Sequence, residues 1–568
     1  MKTVLTQFSG MSGRGLAAFT FLVGIMLFST AAGAVYYPPS DRTVTWQGNV
    51  GVSGDVPNRT AIYKMLSPSG GDDTSAIQTA INNCPSGQVV QLDKGTFNVT
   101  KIDMKSNATL RGYGIGVTIL KGTSTSSSYI VSFGTNAGLG TSVNLAGGYT
   151  KGSTSITASS SPGWSAGNII LIDQINNASG NPPVSNTGSD GTCSWCGRSS
   201  GARSLGQAVK VTAISGNTAT LEMPLYWSFD PTLSPQGTTV TMNVQNAGLE
   251  NLTIDNSTSM NANQQNNGTV LMNGAANCWL LKVDIYGVWE GGITMEGTYR
   301  CTVRSCRVHY SHAYTTSSGY GLWMEYINSA DLVEDSIFDN LPAGLMCSGE
   351  TSGNVIAYCY ITNLYYTTDP ASAIEALDNH GAHPIMNLWE GNFCEGTLLG
   401  SDHIWGTASH NTWFRNRVFY GSGFTKRLMD LNIWSGETYF NVIGNVIGTA
   451  GREMVYQSAS IPFGTPGVIW VLGVKSSGNS PAGSYGLETT SLIRHGNWDS
   501  VTNGVVWDPT IPDHVLPPSL YLTAKPSWWP SAMPWPSIGP DLTPMSGTIP
   551  ARQRYLLTPP SPAPPTVR

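Results

Sequence analysis

From residue 249 onward one pattern of apolar and polar positions recurs. The segments "LENLTID", "LKVDIYG", "VRSCRVHY", "VEDSIFDN", "IAYCYITN", "WEGNFCEG", "WFRNRVFYG" and "VIGNVIG" share it. Each has an apolar residue, two variable ones, a small or polar one, then an apolar residue two places on. Aligned, they stack Leu252, Asp284, Cys306, Ser336, Cys359, Asn392, Asn416 and Asn445, at steps of 32, 22, 30, 23, 33, 24 and 29 residues. Steps of 22 to 24 suit one coil of a parallel β-solenoid, and the longer steps suit coils carrying an inserted loop. Strand alternation sends the stacked residues inward, together with Ile254, Val308, Phe338, Ile361, Val418 and Ile447. A column of Asn there satisfies turn backbone of the next coil, which explains polar residues facing a core. Asn392, Asn416 and Asn445 are expected as scaffold, Asn411 as a turn residue, and Cys306 and Cys359 as core thiols.

Each coil needs a second strand upstream. Counting back brings "WMEY", "LMCS", "HIWG" and "NIWS" side by side, with Met324, Cys347, Ile404 and Ile433 inward. Residues two apart share a face, so the outward side is expected to show Trp323, Glu325, Met346, Ser348, His403, Trp405, Asn432 and Trp434, with Asp430 on the same face. A row of outward Trp is costly unless covered or bound. Flat aromatic faces stack well on sugar rings. Loops near 312 to 320, 365 to 385 and 421 to 428 enter just before these strands and are expected to wall a groove.

The region 71 to 100, "GDDTSAIQTAINNCPSGQVVQLDKGTFNVT", reads as an Asp-capped amphipathic helix followed by two strands around a "KGTF" turn. Ala76, Ile77, Ala80 and Ile81 form its apolar face. This stretch resembles the opening of the pectate-lyase-like superfamily, the group that includes rhamnogalacturonases and epimerase-like proteins. The resemblance implies an all-β fold, a right-handed parallel β-helix whose first end is covered by the helix. It extends over 71 to 140 and 244 to 450 and carries no catalytic residue across. The polygalacturonase pattern of N-T-D, D-D, G-H-G and R-I-K is absent from the groove-forming region.

The expected organisation is a signal peptide at 1–34, cap and first coils at 35–140, and an inserted small β domain at 141–243. The main β-helix follows at 244–510, then a Pro/Trp-rich extended segment at 511–568. The signal peptide rests on Lys2 and Arg14, the apolar run from Leu16, and the small residues Ala32-Gly33-Ala34. Its loss removes two positive charges and no negative one, taking the formal charge from −6 to −8. With only 11% charged residues and no basic block, the chain is no nucleic-acid binder. No later stretch is apolar enough to span a membrane. Of nine Cys, Cys193 and Cys196 form a C-x-x-C without a companion motif, which reads as a local disulfide in an exported loop.

These features point to a secreted enzyme cleaving glycosidic bonds in a polysaccharide. Hydrolysis needs two carboxyl groups. The candidates are Asp430, Asp402, Glu325 and Asp378, with His403 and His380 as acid–base partners. Asp430 with His403 or Asp402 is the favoured grouping, and Asp402 is the weaker member because alternation turns it away. Trp323, Trp405, Trp434, Asn432, Lys426, Arg427 and His383 are the expected substrate contacts. The "HGAH" pair with Asp378 offers metal ligands, but no metal site is assigned and no cofactor is required. The alternatives are a lyase acting on a uronic-acid polymer, in which calcium has a place, and a non-catalytic carbohydrate-binding or adhesion solenoid. The sequence leaves the oligomeric state open.

Overall fold

The computed structural model describes residues 35–124, 129–258, 268–315, 318–474 and 486–558; the expected leader at 1–34 lies outside the described residues. Two long sheets, of 22 and 12 strands, build a parallel β-helix from successive coils. No described helix is long and apolar enough to cross a membrane.

Helix α1 (Thr74–Asn83) closes one end of the stack. It buries Ile77, Ala80 and Ile81, at the i, i+3, i+4 spacing of one face, while Ala76 is exposed. Asp73 caps it only by position. Its carboxylate accepts from Ser69 N–H, and Asp72 accepts from Thr74 N–H at 2.9 Å.

One continuous apolar cluster fills the solenoid, from Ile77 to Leu492. The Asn column runs through it. Asn392 Nδ2 donates to Asn416 Oδ1 at 3.0 Å, Asn416 to Asn445 at 3.0 Å, and Asn445 to Asn497 at 2.9 Å. Each Oδ1 also accepts the backbone N–H one coil back. Asn354, Asn387 and Asn411 form a second column of the same kind, so Asn411 is a ladder residue rather than an ordinary turn residue. One member of the expected stack is displaced. Leu252 pairs with Val283, and Asp284 pairs with Arg307, so Val283 holds the inward place. A one-residue slip reverses the face, and Asp284 meets His309 at 3.0 Å instead.

Between the first coils and the main stack, six strands close an antiparallel barrel: β1 (Leu139–Gly147), β2 (Ser155–Ala158), β3 (Ile169–Gln174), β4 (Leu205–Ser215), β5 (Thr218–Leu221) and β6 (Gln236–Val240). Apolar residues of these strands, including the consecutive Ile169, Ile170, Leu171 and Ile172 of β3, form the barrel's own core, which continues into Ala276, Tyr299 and Ile327 of the solenoid. A long excursion between β3 and β4 leaves the barrel and crosses onto the solenoid. The C-terminal segment runs along the outside of the 22-stranded sheet. Leu520, Tyr521, Trp529 and Met533 pack there against Val355, Tyr358 and Phe414, and buried Arg415 pairs with Asp541 at 2.7 Å.

The 12-stranded sheet carries the strands that matter for function: β7 (Gly268–Ala276), β8 (Gly291–Tyr299), β9 (Tyr320–Ser329), β10 (Ala343–Cys347), β11 (Glu375–Gly381), β12 (Leu398–Trp405), β13 (Met429–Ile433) and β14 (Gly467–Leu472).

Candidate active site

The register of β9 to β13 fixes two rows. Met324, Cys347, Asn379, Ser401 and Ile433 stack inward, and Trp323, Met346, Asp378, Gly400 and Asn432 stack outward. This differs from the sequence-based expectation in two ways. Residues 375–381, expected inside a loop, form a strand of the sheet. The inward place on β12 belongs to Ser401, not Ile404. Ser401 is tolerated there because its hydroxyl donates to buried Glu437 at 2.6 Å. The three-residue slip is odd, so it exchanges faces: Asp402 turns outward and His403 does not. Between the paired positions Asn379–Ser401 and Gly381–Trp405, β12 has two residues more than β11. This bulge lets Asp402 and Trp405 share the outer face despite their odd spacing.

The outer face of β9 to β12 floors a groove of about 810 Å³. Asp378, His380 and Asp402 meet in its floor, one ligand-type atom of each lying within 4.8 Å of the others. His380 Nδ1 is 2.8 Å from Asp402 Oδ2 and 3.8 Å from Asp378 Oδ2. Burial works against the charged imidazole, but the Asp402 carboxylate outweighs it and raises the His380 pKa. Burial pushes the Asp378 carboxyl well above its usual range, and the neighbouring Asp402 and Glu375 push the same way. These influences favour the protonated form of Asp378 beside the Asp402–His380 pair.

Beside them, Glu375 binds Arg427. Toward β8 and β9 stand Glu290 and Glu325. Burial, then Glu296 and Glu290, push Glu325 up to about 9; burial pushes Glu290 up to about 7. Glu325 sits where the pairing of β8 with β9 is irregular, between Met295–Met324 and Glu296–Tyr326.

The groove also carries aromatic side chains. Trp323 donates from Nε1 to Ser348 Oγ at 3.0 Å. Trp195 stands edge-on to Trp323 and Trp405, with ring centroids 5.8 and 6.4 Å apart. Trp195 comes from the excursion between β3 and β4, closed by the Cys193–Cys196 disulfide. That excursion holds β12 through its backbone: Ser189 and Asp190 N–H donate to the carbonyls of His403 and Ile404, each at 3.2 Å. Gly381 is required beneath it. A Cβ there would lie 2.9 Å from Cys196 Sγ and 2.9 Å from Ser348 Cβ.

Several expected site residues lie elsewhere. His403 is fully buried against Trp434, ring centroids 5.2 Å apart, and burial lowers its pKa. Asp430 and Asn432 do point outward from β13 but are fully buried, because Leu398, Tyr420, Leu428, Trp434 and Val468 close over the sheet beyond β12. Asp430 accepts from Tyr420 N–H at 2.9 Å instead of facing the groove. Trp434 is one of the covering residues, not a groove residue. His383 is buried between the Thr407 and Ser409 hydroxyls at 3.1 and 2.9 Å, so the "HGAH" pair cannot ligate one ion. Lys426 pairs with Asp369 outside the groove. Asp378, His380, Asp402, Glu325, Trp323, Trp405 and Arg427 do line the groove. Sequence reasoning missed Asp190, Trp195, Glu290, Tyr320, Tyr366 and Glu375. The available signal was Trp195, an exposed-type aromatic inside a disulfide loop.

No family model matches the chain, and no curated protein matches it. Among solved structures, the Gp54 tailspike of Acinetobacter baumannii bacteriophage AP22, in complex with A. baumannii capsular saccharide, is similar at 12% identity. The match covers 79% of this chain and 71% of that one, with a TM-score of 0.43. The mannuronan C-5 epimerase AlgE6 A-module of Azotobacter vinelandii is similar at 12% identity over 76% and 95% of the two chains, TM-score 0.36. A polygalacturonase from Erwinia carotovora is similar at 10% identity over 76% and 97%, TM-score 0.26. Likeness at this level identifies no residue of the site; the parallel β-helix stands on the strand register of the chain itself.

Proposed function

We propose that this chain is a secreted glycoside hydrolase acting on a polysaccharide, and that Asp378 and Asp402 form its carboxyl pair. The observation that carries this is the meeting of two carboxyls and an imidazole within 4.8 Å in the floor of a Trp-walled groove. Asp378, holding its proton, protonates the glycosidic oxygen as the bond to the anomeric carbon breaks. Asp402, oriented by His380, attacks that carbon and forms a glycosyl ester. A water molecule then cleaves the ester, giving its proton back to Asp378. One oxygen of each carboxyl lies within 4.8 Å of the other, an approach that leaves no room for the water molecule held between the carboxyls of inverting enzymes, roughly 6.5 to 9.5 Å apart, and so favours the retaining course. Trp195, Trp323 and Trp405 supply stacking surfaces for sugar rings.

Lyase action on a uronic-acid polymer is disfavoured by the groove's charge. The two cationic side chains that line the groove are both engaged, Arg427 by Glu375 and His380 by Asp402, so neither is free to neutralise a uronate carboxylate. The test is a panel of neutral, cationic and anionic polysaccharides with product analysis. Saturated reducing ends that disappear with Asp378→Asn support the reading. Unsaturated products, or undiminished cleavage by Asp378→Asn, contradict it.

A further inference from the structure

Apart from Asp190 on the barrel excursion, the carboxyls of the groove fall into two groups. On β11 and β12, Glu375 has Arg427, and Asp402 has His380, which also stands beside Asp378. At the β8–β9 end, Glu290 and Glu325 line the groove and Glu296 lies against Glu325. None of these three has a cationic partner among the described residues. Glu290 Oε2 is enclosed without a hydrogen-bond partner, and Glu296 has only the Asn273 amide beyond its contact with Glu325. Carboxyls partly withdrawn from water without a counter-charge are costly to ionise, and this chain has placed Glu290 and Glu325 on the groove lining, with Glu296 against Glu325, whereas the carboxyls on β11 and β12 stand beside a cationic side chain.

Aromatic side chains line the same end of the groove. Trp323 lies on β9 itself, Trp195 stands edge-on to it, and the Tyr320 ring centroid is 5.3 Å from that of Trp323. Carboxyls with aromatic rings beside them recognise an ammonium group, through charge-assisted hydrogen bonds and contact with a ring face. A small metal ion fits less well. Among the described residues, only Asp378, His380 and Asp402 bring three ligand-type atoms that close together.

We infer that the groove takes a polymer of amino sugars, and that an ammonium group of the substrate occupies the end formed by Glu290, Glu325 and Trp323. This rests on the groove being the site of glycosidic cleavage, and adds which class of polymer enters it. The two sites lie a short way apart along one chain of sugars. Glu325 is on β9 and Asp378 on β11, two coils away, which is about 10 Å at 4.8 Å per coil. The ammonium group therefore belongs to a sugar beside the cleaved bond, so the unpaired carboxyls select the substrate without taking part in bond breaking. The raised positions of Glu325 and Glu290 follow from the same absence of a cation, and a bound ammonium group lowers both.

The experiment is calorimetric titration of glucosamine oligomers of defined length, and of the same oligomers fully N-acetylated, into the whole protein just below neutral pH. The glucosamine oligomer is expected to bind at least tenfold more tightly, with a preference that shrinks as salt is added. In Glu290→Gln/Glu325→Gln the ratio of the two affinities falls to about one. Because a double substitution in a buried cluster can impair folding, each single variant and the salt dependence of the native protein are measured alongside. Equal affinities in the native protein, or a preference that survives the substitutions, overturn the inference. If neutral oligomers are bound and cleaved without preference for the amino form, glycoside hydrolysis stands and the amino-sugar assignment falls. If no oligosaccharide of any charge is bound or cleaved, both fall.

Discussion

The division of labour inside the groove rests on where single protons sit. Asp378 lies beside another carboxyl, whereas Asp402 has an imidazole at 2.8 Å, and the proposed roles of acid and nucleophile rest on this asymmetry. Two outcomes follow. Proton NMR of freshly released product should show retention of the anomeric configuration, and inversion would rule out attack by Asp402. The second concerns stability. Glu325 has a folded-state pKa of about 9, above the roughly 4.3 of an unfolded chain. The folded state therefore binds more protons between these values, and stability falls as pH rises through that window. Glu325→Gln removes this loss, so its melting temperature should exceed that of the native protein by a margin that widens from pH 5 to pH 9. A margin independent of pH would show that Glu325 is not perturbed.

At the scale of elements, the Asn columns lock the coils into one register. Asn416 gives its amide to Trp389 O and Asn445 Oδ1 and accepts from Asn392. Asn416→Leu should destabilise by about 1–3 kcal/mol by orphaning these buried groups, measured by denaturant unfolding, with the groove chemistry unchanged in the folded fraction. Strand β11 depends on a missing side chain in the same way. Gly381→Ala puts a Cβ against Cys196 and Ser348 and should displace the Trp195 loop. Oligosaccharide affinity is expected to drop about tenfold with a smaller change in melting temperature, and unchanged affinity would show that the loop adjusts without cost. These elements were unequally legible in the sequence. The Asn columns could be read because alternation and coil length repeat together. Strand β11 could not, because in "EALDNHG" only the adjacent Ala376 and Leu377 join the apolar core, which shows no alternation, and Asn379 and Ser401 place polar groups where the pattern calls for apolar ones. The consequence reached the site: an odd slip on β12 exchanged Asp402 for His403.

For the whole molecule, the groove is a joint product of two parts distant in sequence. The solenoid supplies the floor and the barrel excursion supplies Trp195 and Asp190, more than 200 residues from the β12 carbonyls that they meet. No periodicity encodes that encounter, and this is why Trp195 was visible in the sequence only as the middle of a disulfide loop. The same distance hid the burial of Asp430, which alternation correctly turns outward and tertiary packing then covers. Asp430 is thus the residue at which the sequence pattern and the folded molecule disagree about chemistry, and a direct comparison decides between them. Turnover of the preferred polysaccharide is measured for folded Asp402→Asn and Asp430→Asn. The account predicts a loss of about a thousandfold or more for Asp402→Asn and near-native turnover for Asp430→Asn; an active Asp402→Asn with an inactive, folded Asp430→Asn would contradict it.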